Sequence, residues 1–141
     1  MMETIFQLSN LLIMPFWLLM ILLPHWHWTQ RIMASLWTVV PASLLYAILV
    51  MPNLLAFVGD LANPTLPGIV ALLGSPNGAV IGWIHFLAFD LFVGRWIFLD
   101  SRQHSLSAWL VSPTLLLTLL FGPLGLLLYL AVRAVSMRRT R

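Results

Sequence analysis

Residues 85–102, HFLAFDLFVGRWIFLDSR, contain ionisable side chains within a strongly apolar stretch. Only 8% of the 141 residues are charged, yet this segment carries ionisable residues at successive five-residue steps: His85, Asp90, Arg95 and Asp100. An α-helix turns by about 100° per residue, so a five-residue step leaves neighbouring members about 140° apart around the helix. They therefore cannot pair with one another as i, i+4 neighbours do. A partner for Asp90 must come from another helix, from water or from a ligand.

The composition of the whole chain is typical of an integral membrane protein. It is 61% hydrophobic, with a mean hydropathy of +0.98. Four stretches are almost free of charge, and they cover approximately residues 5–23, 32–51, 79–99 and 107–132. Each is close to the roughly 20 residues that cross a hydrocarbon core as a helix, and none shows the period-2 alternation of a barrel strand. The sequence predicts an all-α integral membrane protein, with four transmembrane helices bundled in a single domain over residues 1–141.

Two segments interrupt this pattern. Residues 52–78, between the second and third predicted helices, hold four prolines and four glycines, which disfavour a fifth continuous span. A short interfacial or re-entrant segment is predicted there, and both a cap over a pocket and a plain amphipathic connector remain open. In the fourth predicted helix, Pro113 and Pro123 predict kinks, with Gly122 and Gly125 allowing close packing beside the second.

The distribution of arginine predicts the orientation. Four arginines follow the last apolar stretch: Arg133, Arg138, Arg139 and Arg141. The positive-inside rule explains this basic end better than nucleic-acid binding does, and it predicts a cytoplasmic C-terminus. With four spans the N-terminus would share that side, and Arg31 and Arg102 would lie opposite. The chain has no cysteine, which excludes disulfides, iron–sulfur clusters and thiol catalysis.

Asp90 falls about eleven residues into the third predicted helix, near the bilayer midplane. An ionisable group at that depth must face protein or water, and three within eleven residues favour a functional site formed by His85, Asp90 and Arg95. A purely structural network that sets the helix register is the alternative. Further residues are predicted to line the ligand, four on the face of His85 and one on the first helix: Phe89, Phe92, Trp96, Asp100 and Asn10.

No metal site is predicted. His25 and His27 alternate with tryptophans in the first turn, but no carboxylate or third histidine lies nearby in sequence. Interfacial polar residues beside an aromatic belt account for them better.

Three motifs carry a resemblance to a known family: WIHFLAFDLFVGR at 83–95, PFWLLMILLP at 15–24 and LLFGPLG at 119–125. With them the chain resembles the plant and cyanobacterial family named for abscisic acid deficiency, locus four. Plant members are chloroplast membrane proteins required for making the xanthophyll neoxanthin. Because the sequence shows no long N-terminal transit extension, it resembles a cyanobacterial member of the family. The thylakoid or plasma membrane of a bacterium is the expected location.

The resemblance implies a reaction in which an epoxide of violaxanthin opens and a proton is lost as an allene forms. Such a rearrangement involves no net redox change, so no cofactor is expected, and it needs a proton donor and a proton acceptor. A cofactor-independent carotenoid isomerase is one hypothesis. The other is a non-catalytic pigment-binding or assembly factor, with a photosynthetic complex or a carotenoid enzyme as partner. A transporter is less well supported, because the sequence shows no internal repeat.

Overall fold

The computed structural model describes residues 1–139, with side chains described for all of these except Ala56, Asp60 and Arg139. Within that range the chain forms eight α-helices: α1 Met2–Leu22, α2 His27–Ala34, α3 Val40–Val50, α4 Leu54–Ala62, α5 Leu66–Gly74, α6 Pro76–Gln103, α7 Ala108–Phe121 and α8 Pro123–Arg139. Short 3-10 turns at Leu36–Thr38 and Met51–Asn53 flank α3. The all-α prediction is confirmed.

The central helix is α6, against which α1, α2, α3, α5, α7 and α8 all pack. It begins where Ser75 accepts a hydrogen bond at Oγ from the backbone N–H of Gly78, at 3.0 Å, and Pro76 occupies its first turn. Both are favourable at a helix start, because the first N–H groups have no partner within the helix. At 28 residues α6 is the longest of the described helices, and it forms the axis of the bundle.

Helices α1 and α6 lie side by side and run in the same direction. Near their N-terminal ends, Trp83 Nε1 donates to Asn10 Oδ1 at 3.1 Å. Further along both helices, Trp17 is fully buried against Gly94, where an added Cβ would lie 2.8 Å from ring atom Cζ3. Gly94 is therefore the residue that lets the Trp17 indole reach the backbone of α6.

The second predicted helix, residues 32–51, is interrupted in the structure. The chain leaves α2 at Ser35, whose hydroxyl accepts from the backbone N–H of Trp37 at 3.2 Å, and α3 starts with Pro41 in its first turn. A serine that satisfies a local N–H competes with continued helix, and proline cannot donate the i to i−4 bond that continuation needs. The expectation of one continuous helix here is corrected to two helices with a 3-10 turn between them.

The fourth predicted helix, residues 107–132, is two helices that fold back on each other. At Gly122 the backbone adopts φ +39° and ψ −92°, and Pro123 starts α8. A Cβ at Gly125 would overlap the backbone of Thr118, seven residues earlier, which in a continuous helix would lie about 10 Å away. This close approach shows that the predicted kink is a reversal of the chain direction. Glycine allows it, because only glycine adopts this positive φ without strain. Helices α7 and α8 form a hairpin with its tip at Gly122.

Two helices are long and apolar enough to cross a membrane by length and composition, Met2–Leu22 and Pro76–Gln103. Shorter apolar helices cover Val40–Asn53 and Ala108–Phe121. The segment between the second and third predicted helices forms α4 and α5, whose leucines are largely exposed.

Candidate functional site

Asp90 lies in an open cavity of about 450 Å³ between α6 and the tip of the α7–α8 hairpin, called here the Asp90 groove. Apart from Asp90 and His85 its walls are mainly apolar, from Trp83, Phe86, Phe89, Leu119, Phe121 and Leu126 among others. Trp83 and Phe89 are 41% and 60% exposed. The groove is therefore accessible from the side of the helix bundle rather than from its ends.

The Asp90 carboxylate lies against the hairpin tip. A Cβ at Gly122 would lie 3.2 Å from Asp90 Cγ and closer still to Oδ1, so no larger residue fits there in this geometry. Among the residues that the structure describes, none forms a hydrogen bond or ion pair with this carboxylate. A half-buried carboxyl group without a protein partner is free to engage a ligand.

His85 shares the Asp90 groove although it lies about 140° from Asp90 around α6. Its imidazole packs among aromatic rings, with centroids 4.8 Å from Phe89 and 5.5 Å from Tyr46. Two groups able to exchange a proton therefore line one apolar cavity. Sequence reasoning predicted both residues but not that a single cavity would span this much of the helix.

Arg95, the third predicted catalytic residue, lies elsewhere. Its Nη2 donates to the Ala34 carbonyl at 2.8 Å and its Nε to the Ser35 carbonyl at 3.3 Å. These carbonyls end α2, where a cation satisfies orphan acceptors and complements the helix dipole. The structure does not bring Arg95 together with Asp90 and His85.

The remaining predicted ligand-lining residues have different positions. Asn10 fixes a wall of the Asp90 groove, because its Oδ1 accepts from Trp83 while its Nδ2 donates to the Phe6 carbonyl at 2.8 Å. Phe92 lines a neighbouring cavity of about 200 Å³ between α3 and α6, together with Phe89. Of these residues, Phe89 alone lines the Asp90 groove itself.

Asp100 belongs to a polar cluster between α6 and α8, called here the Asp100 cluster, made of Asp100, His104, Tyr129 and Arg133. Arg133 Nε donates to Asp100 Oδ2 at 2.7 Å, and the Tyr129 hydroxyl donates to the same oxygen. His104 Nδ1 lies 3.5 Å from Oδ2, and its Nε2 lies 3.2 Å from Arg133 Nη2. Trp96 packs edge-on against Tyr129, with centroids 5.8 Å apart. With its carboxylate occupied, Asp100 has little capacity left for a ligand.

Sequence reasoning missed His104 and Arg133 as partners of Asp100. A signal was present in the spacing. His104, the residue that follows α6, lies four positions after Asp100, and Tyr129 and Arg133 are i, i+4 on α8. Their meeting requires the reversal at Gly122, which returns α8 to this end of α6. Among the residues whose side chains the structure describes, no group of three or more His, Asp or Glu is arranged to hold a metal ion.

Fold and site together define a class. The described chain is all-helical, with helices able to cross a membrane, and has in an apolar groove beside a helix reversal a carboxyl group that bonds to no described residue. Residues 4–129 match the sequence model of the ABA DEFICIENT 4-like family, and the chain belongs to that family. The resemblance seen in the sequence motifs is thereby confirmed.

A relative among known proteins is the chloroplastic protein ABA DEFICIENT 4 of Arabidopsis thaliana. It is 25% identical over 139 residues, which cover 94% of this chain and 62% of the relative. The chain thus spans less than two thirds of the length of that plant protein. No solved structure matches this chain.

Proposed function

We propose that this protein is an integral membrane protein of carotenoid metabolism, and that the Asp90 groove binds the epoxide-bearing end of a xanthophyll and isomerises it. The observation that carries the proposal is the Asp90 carboxyl group, which has no partner among the described residues and shares an apolar groove with His85. Membership of the ABA DEFICIENT 4-like family supports the choice of substrate class.

The groove suits a polyene because its walls offer aromatic faces and its side opening lets an apolar molecule enter from lipid. Four of its wall residues, Trp83, Phe86, Phe89 and Phe121, are exposed aromatics. Burying the apolar end of a ligand against such rings is favourable by about 25 cal/mol for each Å² removed from water. These aromatic walls offer few polar contacts. The two ionisable groups, His85 and Asp90, therefore determine which end of the ligand binds in the groove.

The reaction needs one proton given and one taken. In our proposal the neutral Asp90 carboxyl group donates its proton to the epoxide oxygen as the carbon–oxygen bond breaks. The His85 imidazole accepts the proton that leaves the neighbouring vinylic carbon as the allene forms. Product and substrate are isomers, and return of the proton from His85 to Asp90 restores the site. Arg95 has no part in this step, since its guanidinium group is hydrogen-bonded to the end of α2.

We further propose a membrane arrangement of three transmembrane crossings and one re-entrant helical hairpin. Helix α1 crosses, α2 and α3 together cross back, α6 crosses again, and α7–α8 enters as far as Asp90 and returns. Non-helical backbone at membrane depth is tolerated where it lines a cavity, as Gly122 does. The termini then lie on opposite faces, unlike in the predicted four-span bundle.

This arrangement gathers the described arginines at one end of the bundle: Arg31, Arg95, Arg102, Arg133 and Arg138. Glu3 lies at the other end. The positive-inside rule then assigns the arginine end, with the C-terminus, to the cytoplasm. The bias is stronger than the linear sequence indicates, because Arg31 and Arg102 join the C-terminal arginines.

The absence of cysteine from the chain makes the arrangement directly testable. Single variants Glu3→Cys and Arg138→Cys, in intact cells, are labelled with a membrane-impermeant maleimide. We expect Glu3→Cys to react from outside and Arg138→Cys only after the cells are opened. Equal accessibility of both sites would place the two termini on one side and contradict this arrangement.

The proposed activity is tested with purified protein in detergent, violaxanthin as substrate, and product analysis by chromatography and mass spectrometry. We expect an allenic isomer of unchanged mass from the wild type, and none from Asp90→Asn. The matched control is Glu3→Gln, the same carboxyl-to-amide change at a residue outside the groove that bonds only to Gln7. Equal product from Asp90→Asn and wild type contradicts a catalytic Asp90.

A pigment-binding or assembly role without chemistry is the second candidate. The observation in its favour is the position of Arg95, whose guanidinium group is hydrogen-bonded to the end of α2 and does not line the groove. Among the described residues, His85 and Asp90 are then the ionisable groups available for chemistry there. Unchanged carotenoid copurifying in stoichiometric amount, with no isomer formed, would support this role and contradict the isomerase.

A further inference from the structure

A second cavity lies at the arginine end of the molecule, between α2 and the last turn of α6, and we call it the Arg102 pocket. It measures about 590 Å³. Its walls carry two arginines, a histidine and two glutamines and contain no carboxylate: His27, Gln30, Arg31, Ala34, Leu99, Arg102 and Gln103. The pocket is therefore rich in hydrogen-bond donors and positively charged.

Arg102 is incompletely satisfied by the described protein. Its Nε and Nη2 are buried, and neither has a hydrogen-bond partner among the side chains and backbone groups that the structure describes. The guanidinium carbon lies 5.6 Å from the centroid of the buried Phe98 ring, so one side of the group faces an apolar wall. Buried polar groups in proteins are nearly always hydrogen-bonded, and a buried cation without an acceptor is especially costly. Within the described part of the chain, no acceptor reaches these two nitrogens.

The described carboxylates cannot supply that acceptor. Glu3 accepts from Gln7, Asp90 lies in its own groove, and Asp100 is bound within its cluster by Arg133. Arg31 packs over the Trp28 ring at 5.4 Å and has no hydrogen bond with a described residue. Two guanidinium groups therefore line one pocket without a described protein anion to neutralise them.

We propose that the Arg102 pocket binds a phosphate-type anion, the group carried by anionic lipid headgroups and by free phosphate. A guanidinium group presents paired N–H donors that match two phosphate oxygens, and Arg31 on the opposite wall adds a second cation. Gln30 and Gln103 supply neutral donors at the rim. This end of the bundle also carries the other arginines, so in a membrane it would meet the anionic lipids of the cytoplasmic leaflet.

The site is distinct from the Asp90 groove and does not depend on the xanthophyll proposal. Its ligand would sit between α2 and α6, next to the Ala34 carbonyl that Arg95 holds. Binding would join the two helices by charge and so stabilise the folded protein in proportion to ligand occupancy.

The test uses the full chain, delipidated in a neutral detergent. Short-chain phosphatidylglycerol, short-chain phosphatidylcholine and inorganic phosphate are added separately, and binding is followed by native mass spectrometry and by the rise in unfolding temperature. We expect phosphatidylglycerol or inorganic phosphate to bind and raise the unfolding temperature, and phosphatidylcholine to do neither. Saturation by inorganic phosphate at the same concentration as the lipid identifies the free ion as sufficient, whereas binding of phosphatidylglycerol alone identifies the headgroup.

Variants locate the binding. Arg102→Gln and Arg31→Gln should each weaken it about tenfold, the loss expected for one charge-assisted hydrogen bond. Arg138→Gln, on the exposed surface of α8, removes the same charge outside the pocket and should bind as wild type does. Arg31 is exposed, so its variant keeps the test valid if Arg102→Gln fails to fold. Equal affinity of wild type and Arg31→Gln, or no binding of either anion to the wild type, would overturn the proposal.

Discussion

Helix α6 carries two aspartates ten residues apart, and their surroundings are opposite. Asp100 accepts hydrogen bonds from Tyr129 and Arg133 and contacts His104, whereas Asp90 has no hydrogen-bonding or ionic partner among the described residues. Both contact the α7–α8 hairpin, Asp100 through the body of α8 and Asp90 through its tip. One carboxylate thus links two helices, and we propose that the other engages a ligand.

The comparison shows why scarce charge in an apolar segment has no single meaning. The five-residue spacing prevents the ionisable residues of residues 85–100 from pairing with one another along the helix, so Asp90 needs a partner from another element. Asp100 differs, because His104 lies four residues further along the chain. A helix that returned from the tip with Tyr129 and Arg133 on one face supplied them to Asp100 alone. The distribution of partners, and not the residue type, separates the structural site from the candidate functional one.

The largest difference between the two sites is expected when each aspartate is replaced singly by asparagine. Asp90→Asn is expected to lower turnover of xanthophyll about 100-fold or more, the usual contribution of a general acid, with little loss of stability. Asp100→Asn should keep activity in folded protein and lower the free energy of unfolding by about 2 kcal/mol, because Arg133 loses a charged acceptor. Turnover and thermal unfolding in detergent are measured for both. The same pattern of losses in the two variants would show that they do not differ in role.

Changing the hairpin tip should lower both the stability and the activity of the protein. Gly122→Ala combines a positive φ with a Cβ that overlaps the Asp90 carboxylate, and we expect it to cost about 2 kcal/mol of stability. Activity should fall as well, since Asp90 must move. Gly59→Ala in α4 is the control, because its Cβ meets nothing within 4 Å. If Gly122→Ala is as stable and active as Gly59→Ala, the reversal at Gly122 does not position Asp90.

The smallest effect is expected within the Asp100 cluster. Tyr129→Phe removes one hydrogen bond to Asp100 and keeps the ring packing against Trp96, so a loss of about 1 kcal/mol in unfolding free energy is expected. Tyr46→Phe is the matched control, since the structure describes ring contacts for Tyr46 but no hydrogen bond of its hydroxyl. Equal unfolding temperatures for the two variants would mean that the Tyr129 hydroxyl adds nothing to the cluster.

Much of the helical content and part of the site can be predicted from the sequence. The third predicted helix, residues 79–99, lies within α6, and the first, residues 5–23, coincides closely with α1. His85 and Asp90 were predicted and do line one groove. Arg95 was grouped with them by proximity in sequence alone, and in the structure it binds the end of α2 instead.

The sequence by itself determined what acts over a few residues. Apolar composition determined that the chain is helical and suited to a membrane, Ser75 and Pro76 determined where α6 begins, and the motifs at 83–95 and 119–125 determined the family resemblance. Tertiary structure alone decided which aspartate is paired, where Arg95 binds and which cations share the Arg102 pocket. The physical reason is that these outcomes depend on the direction of a whole helix, and the backbone reversal at Gly122 changes the direction of everything after it.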